Sequence, residues 1–216
     1  VGADDFCEYQ RVFNFGLKTN VDLAGEARTA SLVYSADQMG PTDLATNSFG
    51  QNFNVTMIQM ITAFSSLING GYYYEPHLVS KITNASGATV ENIEPRILKQ
   101  TVSEETSAYI RQYCNAVVTE GTGKTARPAG YLIGGKTGTA EKRPVSAKKY
   151  LVSFIGCEPA EDPEVAYYVI IDEPHVKDQA HSTYATEFSS KVMKRVLPFL
   201  GQYASSSQIK QDAKQE

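Results

Sequence analysis

Hydrophobic residues recur along this chain at two spacings, and the change from one to the other divides it into helices and strands. Ile58, Ile61, Phe64, Leu67 and Ile68 repeat at steps of three and four, the period that gathers side chains on one helix face. Thr56, with Gln59 three residues on, has the spacing of a capping box, and Gly70-Gly71 supplies a stop. A buried helix from about Thr56 to Asn69 is expected. Thr101-Val102-Ser103-Glu104 announces a second helix. Its apolar face is expected at Thr106, Tyr109, Ile110, Tyr113 and Val117, and its end near Gly121-Thr122-Gly123. A third, from about Thr183 to Leu200, offers Phe188, Val192, Val196 and Phe199 as a stripe that would cover a sheet.

Between the helices the pattern is extended. Tyr72 to Ile82 and Ile93 to Gln100 read as strands around a turn at Asn84-Ala85-Ser86-Gly87. Tyr131 to Glu141, Tyr150 to Cys157 and Val165 to Asp172 read as three more, the last two joined by the proline-containing turn Glu158-Pro159-Ala160-Glu161-Asp162-Pro163. Sequential strands with short connections favour an antiparallel meander, so the expected class is α/β of the α+β kind, an antiparallel sheet flanked by helices. Residues 1–54, broken by Phe13-Asn14-Phe15-Gly16 and Asp22-Leu23-Ala24-Gly25-Glu26, read as a short helix and a long wrapped loop. One domain over 1–200 is expected, with 201–216 a polar, frayed tail. There is no internal repeat.

Composition narrows the function classes. The net charge of -4 over 216 residues comes without long like-charge blocks, so neither nucleic acid nor an anionic membrane surface is expected as a partner. Cys7, Cys114 and Cys157 are odd in number and widely spaced, which suggests buried free thiols and not a disulfide framework or a paired zinc site. His77, His175 and His181 never approach a metal-ligand spacing. No metal and no cofactor is expected. No apolar run is long enough to span a bilayer, so any export signal or anchor is expected upstream.

The segment that carries chemistry is Gly134-Gly135-Lys136-Thr137-Gly138-Thr139-Ala140. A Lys-Thr-Gly run on a strand edge sets an ammonium, two hydroxyls and a closely approachable backbone in one row, equipment for holding a carboxylate and steadying an acyl oxyanion. Two plainer readings compete. Glycine and lysine also mark an edge strand guarded against association. Gly130 to Thr137 also fits Gly-x-x-x-x-Gly-Lys-Ser/Thr literally, but a phosphate loop follows a strand and opens a helix. Here Arg127-Pro128-Ala129 comes before the run, and charge and proline come after it. The nucleotide reading is rejected on that context. Asp172-Glu173 and Glu104-Glu105 are set aside as catalytic pairs, because neighbouring strand residues face opposite ways and the second pair suits a helix start. Tyr72-Tyr73-Tyr74 reads as half-buried packing.

Further pieces stand in a fixed order with this run. They are Phe13 to Glu26, Ser48-Phe49-Gly50-Gln51-Asn52, Val55-Thr56-Met57-Ile58-Gln59, Asn69-Gly70-Gly71 and Glu120-Gly121-Thr122-Gly123-Lys124-Thr125-Ala126. Together they resemble the transpeptidase domain of class B penicillin-binding proteins over nearly all of residues 6 to 200. Asn20 and Ala24 depart from the family's usual glycine and proline, and Ala180-His181-Ser182-Thr183 from its glycine-rich entry to the last helix.

The resemblance implies peptidoglycan crosslinking through a serine acyl-enzyme, with stem peptides and β-lactam antibiotics as ligands. Lys136 and Thr139 become the catalytic residues, and Thr137, Gly138 and Thr139 the substrate-binding ones. The Thr139 N–H is implied to form half of an oxyanion hole. The Ser-x-x-Lys nucleophile and the Ser-x-Asn motif are implied to lie before Val1, so no nucleophile is expected in this chain. Ser146-Ala147-Lys148-Lys149, Ser207-Gln208-Ile209-Lys210 and Tyr113-Cys114-Asn115 are rejected as decoys by position. The upstream half of the domain becomes a partner, self-association through an open sheet edge is expected, and the location implied is the outer face of the cytoplasmic membrane. A sensor of β-lactams or stem peptides, and a carboxypeptidase or β-lactamase, are the rival readings.

Overall fold

The computed structural model describes residues 1–212, in two compact units divided at Thr106 and Ser107. In the first, helix α1 (Ala3–Val12) opens with Asp4 and Asp5 and closes with Arg11, matching the helix dipole. Asn14 (φ 60°) and Asn20 (φ 60°) follow in the left-handed region, which asparagine tolerates better than most residues. Asn20 thus adopts a backbone region that glycine also favours. The Glu26 carboxylate cinches this loop by accepting from the Thr19 N–H (2.6 Å), the Thr19 hydroxyl (2.8 Å) and the Asn20 N–H (3.0 Å).

The expected wrapped loop also contains helix α2 (Pro41–Ser48). Its signals were local: proline in the first turn and Asp43 accepting the Gly40 N–H at 3.1 Å. It has almost no apolar periodicity, hence its absence from a reading based on hydrophobic spacing. Helix α3 (Met57–Ile68) forms as expected, with Thr56 and Gln59 making both bonds of the capping box. The Gln59 side chain is fully buried, and its amide nitrogen donates to the Leu17 carbonyl.

Strands β1 (Tyr72–Tyr74), β2 (Lys81–Thr83), β3 (Thr89–Asn92) and β4 (Ile97–Gln100) form two nested antiparallel pairs, β1 with β4 and β2 with β3. The extended run expected from Tyr72 to Ile82 is thus interrupted. Pro76 has no N–H to give a ladder, and Asp22 takes the N–H groups of Leu78 and Val79, both at 2.8 Å. Of the three tyrosines only Tyr73 is fully buried, with the Lys99 ammonium 5.3 Å from its ring centre. A side chain on Gly71 would strike the Val102 carbonyl, which explains the glycine stop after α3.

Helix α4 (Glu104–Thr119) leads into the second unit. Its buried positions are Ser107, Cys114 and Val118, whereas Tyr109 and Tyr113 are exposed. The expected face is therefore wrong: two helical stripes with the same period compete, and the one with smaller side chains turns inward, allowing close approach. Tyr113 is still helical, but not in an apolar stripe. Strands β5 (Gly134–Glu141), β6 (Tyr150–Glu158) and β7 (Val165–Asp172) then form the antiparallel meander in the order β5-β6-β7.

Helix α5 (Thr183–Val196), continued by a 3-10 turn at Leu197–Leu200, covers one face of this sheet. It does so with Ala185, Thr186, Ser189, Met193 and Leu197, while Phe188 and Phe199 point outward. This second face inversion has the same cause as the first. The core beneath joins Val118, Ala126, Ile133, Val152, Phe154 and Tyr167 to the helix. The expected frayed tail holds helix α6 (Ser206–Asp212), while the expectation for 213–216 lies outside the described residues. Asp212 pairs with Arg127 and accepts the Gly130 N–H at 3.0 Å, and Ile209 and Ala204 crowd Gly130.

Candidate active site

β5 is built by what its glycines lack. A Cβ on Gly135 would strike the Ile155 carbonyl and the Phe154 ring, and one on Gly138 would lie 2.5 Å from the Ser153 hydroxyl oxygen. β5 pairs with β6 residue by residue, from Gly134 opposite Cys157 to Glu141 opposite Tyr150. Among the described residues it is one of the sheet's two outer strands, so every second peptide group points away from β6. This is a strand, not the start of a helix, which disposes of the phosphate-loop reading.

The four candidate residues Lys136, Thr137, Gly138 and Thr139 lie consecutively on that outer strand. Strand alternation sets Lys136 and Gly138 on one face and Thr137 and Thr139 on the other. Lys136 and Thr139 are exposed, and Thr137 and Gly138 half-buried. The Lys136 ammonium donates to the Thr137 carbonyl at 2.7 Å, holding the charge along the strand. The Thr137 hydroxyl lies 2.9 Å from that of Thr122. Thr122 belongs to the tight turn after α4, fixed by the Gly123 N–H donating to the Val117 carbonyl (2.9 Å) and by a 2.5 Å contact between the Thr125 and Thr186 hydroxyls.

Thr122 lies in the Glu120–Ala126 stretch that carries the resemblance, with no role assigned to it by the sequence alone. Its signal was the Gly-Thr-Gly frame: at Gly121 and Gly123 a Cβ would come within 2.9 and 3.1 Å of the Val117 carbonyl oxygen, so the glycines let the turn double back.

Behind the strand, Cys114 of α4 and Cys157 of β6 both approach Gly134. Burial pushes their thiols up, to about 11 and about 12 respectively, so they stay protonated and unreactive. With Cys7 they are buried free cysteines, as expected. At the far end of the sheet Lys142 reaches Asp172 (2.9 Å) and Glu173 (2.7 Å), and Lys149 reaches Glu173 (2.7 Å). Hydrogen bonds from the two lysines hold the Glu173 carboxyl down at about 2. Asp172 and Glu173 do not face opposite ways here, because Glu173 leaves the strand at φ 48°. No group of side chains able to hold a metal exists among the described residues.

Residues 1–194 match the family model described as the penicillin binding protein transpeptidase domain. The chain belongs to that family. The class B resemblance read from the motifs is borne out by its relatives. This transpeptidase domain is 40% identical to the stage V sporulation protein D of Bacillus subtilis over 215 residues, 97% of this chain and 33% of the relative. It is 30% identical to the penicillin-binding protein PbpB of Mycolicibacterium smegmatis over 81% of this chain and 28% of that protein.

Among solved structures, penicillin binding protein 3 of Mycobacterium tuberculosis complexed with ampicillin superimposes with a TM-score of 0.82 at 26% identity, over 95% of this chain and 48% of that one. The D,D-transpeptidase domain from Eggerthella lenta gives 0.79 at 28%, over 93% and 49%. The chain thus spans about a third of those curated relatives and about half of those solved chains. No described helix is long and apolar enough to cross a membrane.

Proposed function

We propose that this chain is the carboxy-terminal part of a D,D-transpeptidase that crosslinks peptidoglycan on the outer face of the cytoplasmic membrane and is acylated by β-lactams. The upstream part of the domain brings the Ser-x-x-Lys nucleophile, the Ser-x-Asn motif and the anchor. The serine oxygen attacks the penultimate D-alanine carbonyl of a stem peptide, and the terminal D-alanine leaves with a proton on its nitrogen. An amine of a second stem then displaces the serine. Lys136 supplies positive charge beside the Ser-x-Asn serine, and Thr137 and Thr139 grip the terminal carboxylate. The outward N–H of Thr139 donates to the oxyanion, a contact whose removal typically costs about 100- to 1,000-fold in rate.

The observation that carries this reading is the row Lys136 to Thr139 on an outer strand whose glycines keep it approachable. Thr122 extends the grip. A hydroxyl has a single proton, so for Thr137 to donate to a carboxylate across the 2.9 Å contact, Thr122 must donate to Thr137. The test is labelling with fluorescent penicillin of this chain and of the same chain extended amino-terminally through the Ser-x-x-Lys motif. Labelling of the extended protein alone is expected. Labelling of this chain by itself, or of neither, overturns the proposal.

A further inference from the structure

A cavity of about 240 Å3 lies in the second unit, behind β5 and away from the threonine row. Ala108, Arg111, Gln112 and Asn115 line it from one face of α4, and Ala160 and Glu161 from the turn after β6. The helix wall carries a guanidinium and two carboxamides, and the facing wall a carboxylate. The alanines leave the middle open. The cleft is partly open to solvent and roomy enough for a molecule of amino-acid size. Arg111 is held in place by donating to the Ser107 hydroxyl at 3.2 Å.

Both walls close on the start of β5. The Ala160 N–H donates to the Leu132 carbonyl at 2.6 Å. The Ala160 methyl lies 3.1 Å, and the Cys114 Cβ 3.3 Å, from where a Cβ on Gly134 would sit. Gly134 is two residues before Lys136, so a ligand bridging the walls would brace the strand that carries the candidate site.

We infer that this cavity is a second ligand site, for a small zwitterion of the amino-acid class. The ligand carboxylate is held by Arg111 with the Asn115 and Gln112 amides, and its ammonium by Glu161. A planar guanidinium matches a carboxylate bidentately, and charge-assisted bonds are about twice as strong as neutral ones. The two walls thus present opposite charges. The site does not depend on the proposed reaction, although that reaction would release one such molecule, D-alanine.

The test is titration of the chain with D-alanine, followed by NMR chemical shifts, with propionate and ethylamine as single-charge controls. Millimolar binding is expected, weakened about tenfold or more by Arg111→Gln and by Glu161→Gln and unchanged by Thr137→Val. The single-charge controls should bind more weakly than D-alanine. Binding that survives both cavity substitutions, or is abolished by Thr137→Val, overturns the inference, as does no binding. Glu161 is exposed, so its variant folds even if the Arg111 one does not. Penicillin labelling of the extended protein reports on the proposed function separately.

Discussion

Adding one methyl group at Gly138 sets a backbone strand against a single neighbouring oxygen. The new Cβ would lie 2.5 Å from the Ser153 hydroxyl oxygen but 3.9 Å from the Ser153 Cβ, an ordinary contact distance. Ser153 is buried between its neighbours in the sheet, so its oxygen has little room to swing aside. Overpacking of this size costs about 1–3 kcal/mol, which for a chain of this length lowers Tm by about 2–4 °C per kcal/mol. Ser153→Ala alone removes only the hydroxyl and should cost no more than about 1 kcal/mol.

In the double variant the clash is gone, so the two losses should fail to add, with a coupling of about 1–2 kcal/mol. At Gly135 the obstacle is the Ile155 backbone carbonyl, and no side-chain change should rescue Gly135→Ala. The assay is urea unfolding of the four chains of the Gly138/Ser153 cycle and of Gly135→Ala with and without Ser153→Ala. Strict additivity at Gly138, or rescue at Gly135, would refute the steric account of why these positions are glycine.

Thr122→Val, in the amino-terminally extended protein, should slow penicillin acylation by about five-fold, the worth of the neutral hydrogen bond, about 1 kcal/mol, that Thr122 donates to Thr137. Thr122→Ser should restore it, and Tm should barely move because the pair is exposed; acylation kinetics with both variants decides. Breaking the clasp on Arg127 and Gly130 by Asp212→Ala should cost on the order of a few kcal/mol, because it strands a mostly buried guanidinium; a melt unchanged from wild type counts against it. Glu173 titrates at about 2 when folded against 4.5 ordinarily, so its contribution is complete above about 4.5 and is lost as pH falls toward 2. Glu173→Gln should flatten that part of the stability curve, read by denaturant midpoints at successive pH values. By sedimentation, the isolated chain should self-associate through the open strand edge; a monodisperse monomer would argue the edge is protected.

Much of this structure was legible from local rules. The α3 capping box, the turn at Asn84–Gly87, the meander and the Lys-Thr-Gly strand all follow from spacing and turn chemistry. What failed was the choice between faces. On α4 and α5 the larger apolar residues were assigned to the core, yet Ser107, Cys114, Ala185 and Ser189 are buried while Tyr113, Phe188 and Phe199 are not. Periodicity fixes that a helix has faces; which one turns inward depends on how closely its neighbour approaches, a tertiary property. Helix α2 has capping signals but almost no apolar stripe, and the α6 clasp is held by polar contacts between residues far apart in sequence. Thr122 was invisible because its partner Thr137 is 15 residues away.

The vacant Cβ positions along β5 also limit how this surface can evolve. At Gly135 and Gly138 the volume that a side chain would take is already filled by the neighbouring strand β6, and at Gly134 by α4 and the turn after β6 as well. Selection for refusing one bulky ligand while admitting a slimmer one therefore acts more readily on the rim, where the Thr122 turn meets it, than by growing the strand itself, which needs a compensating change on β6.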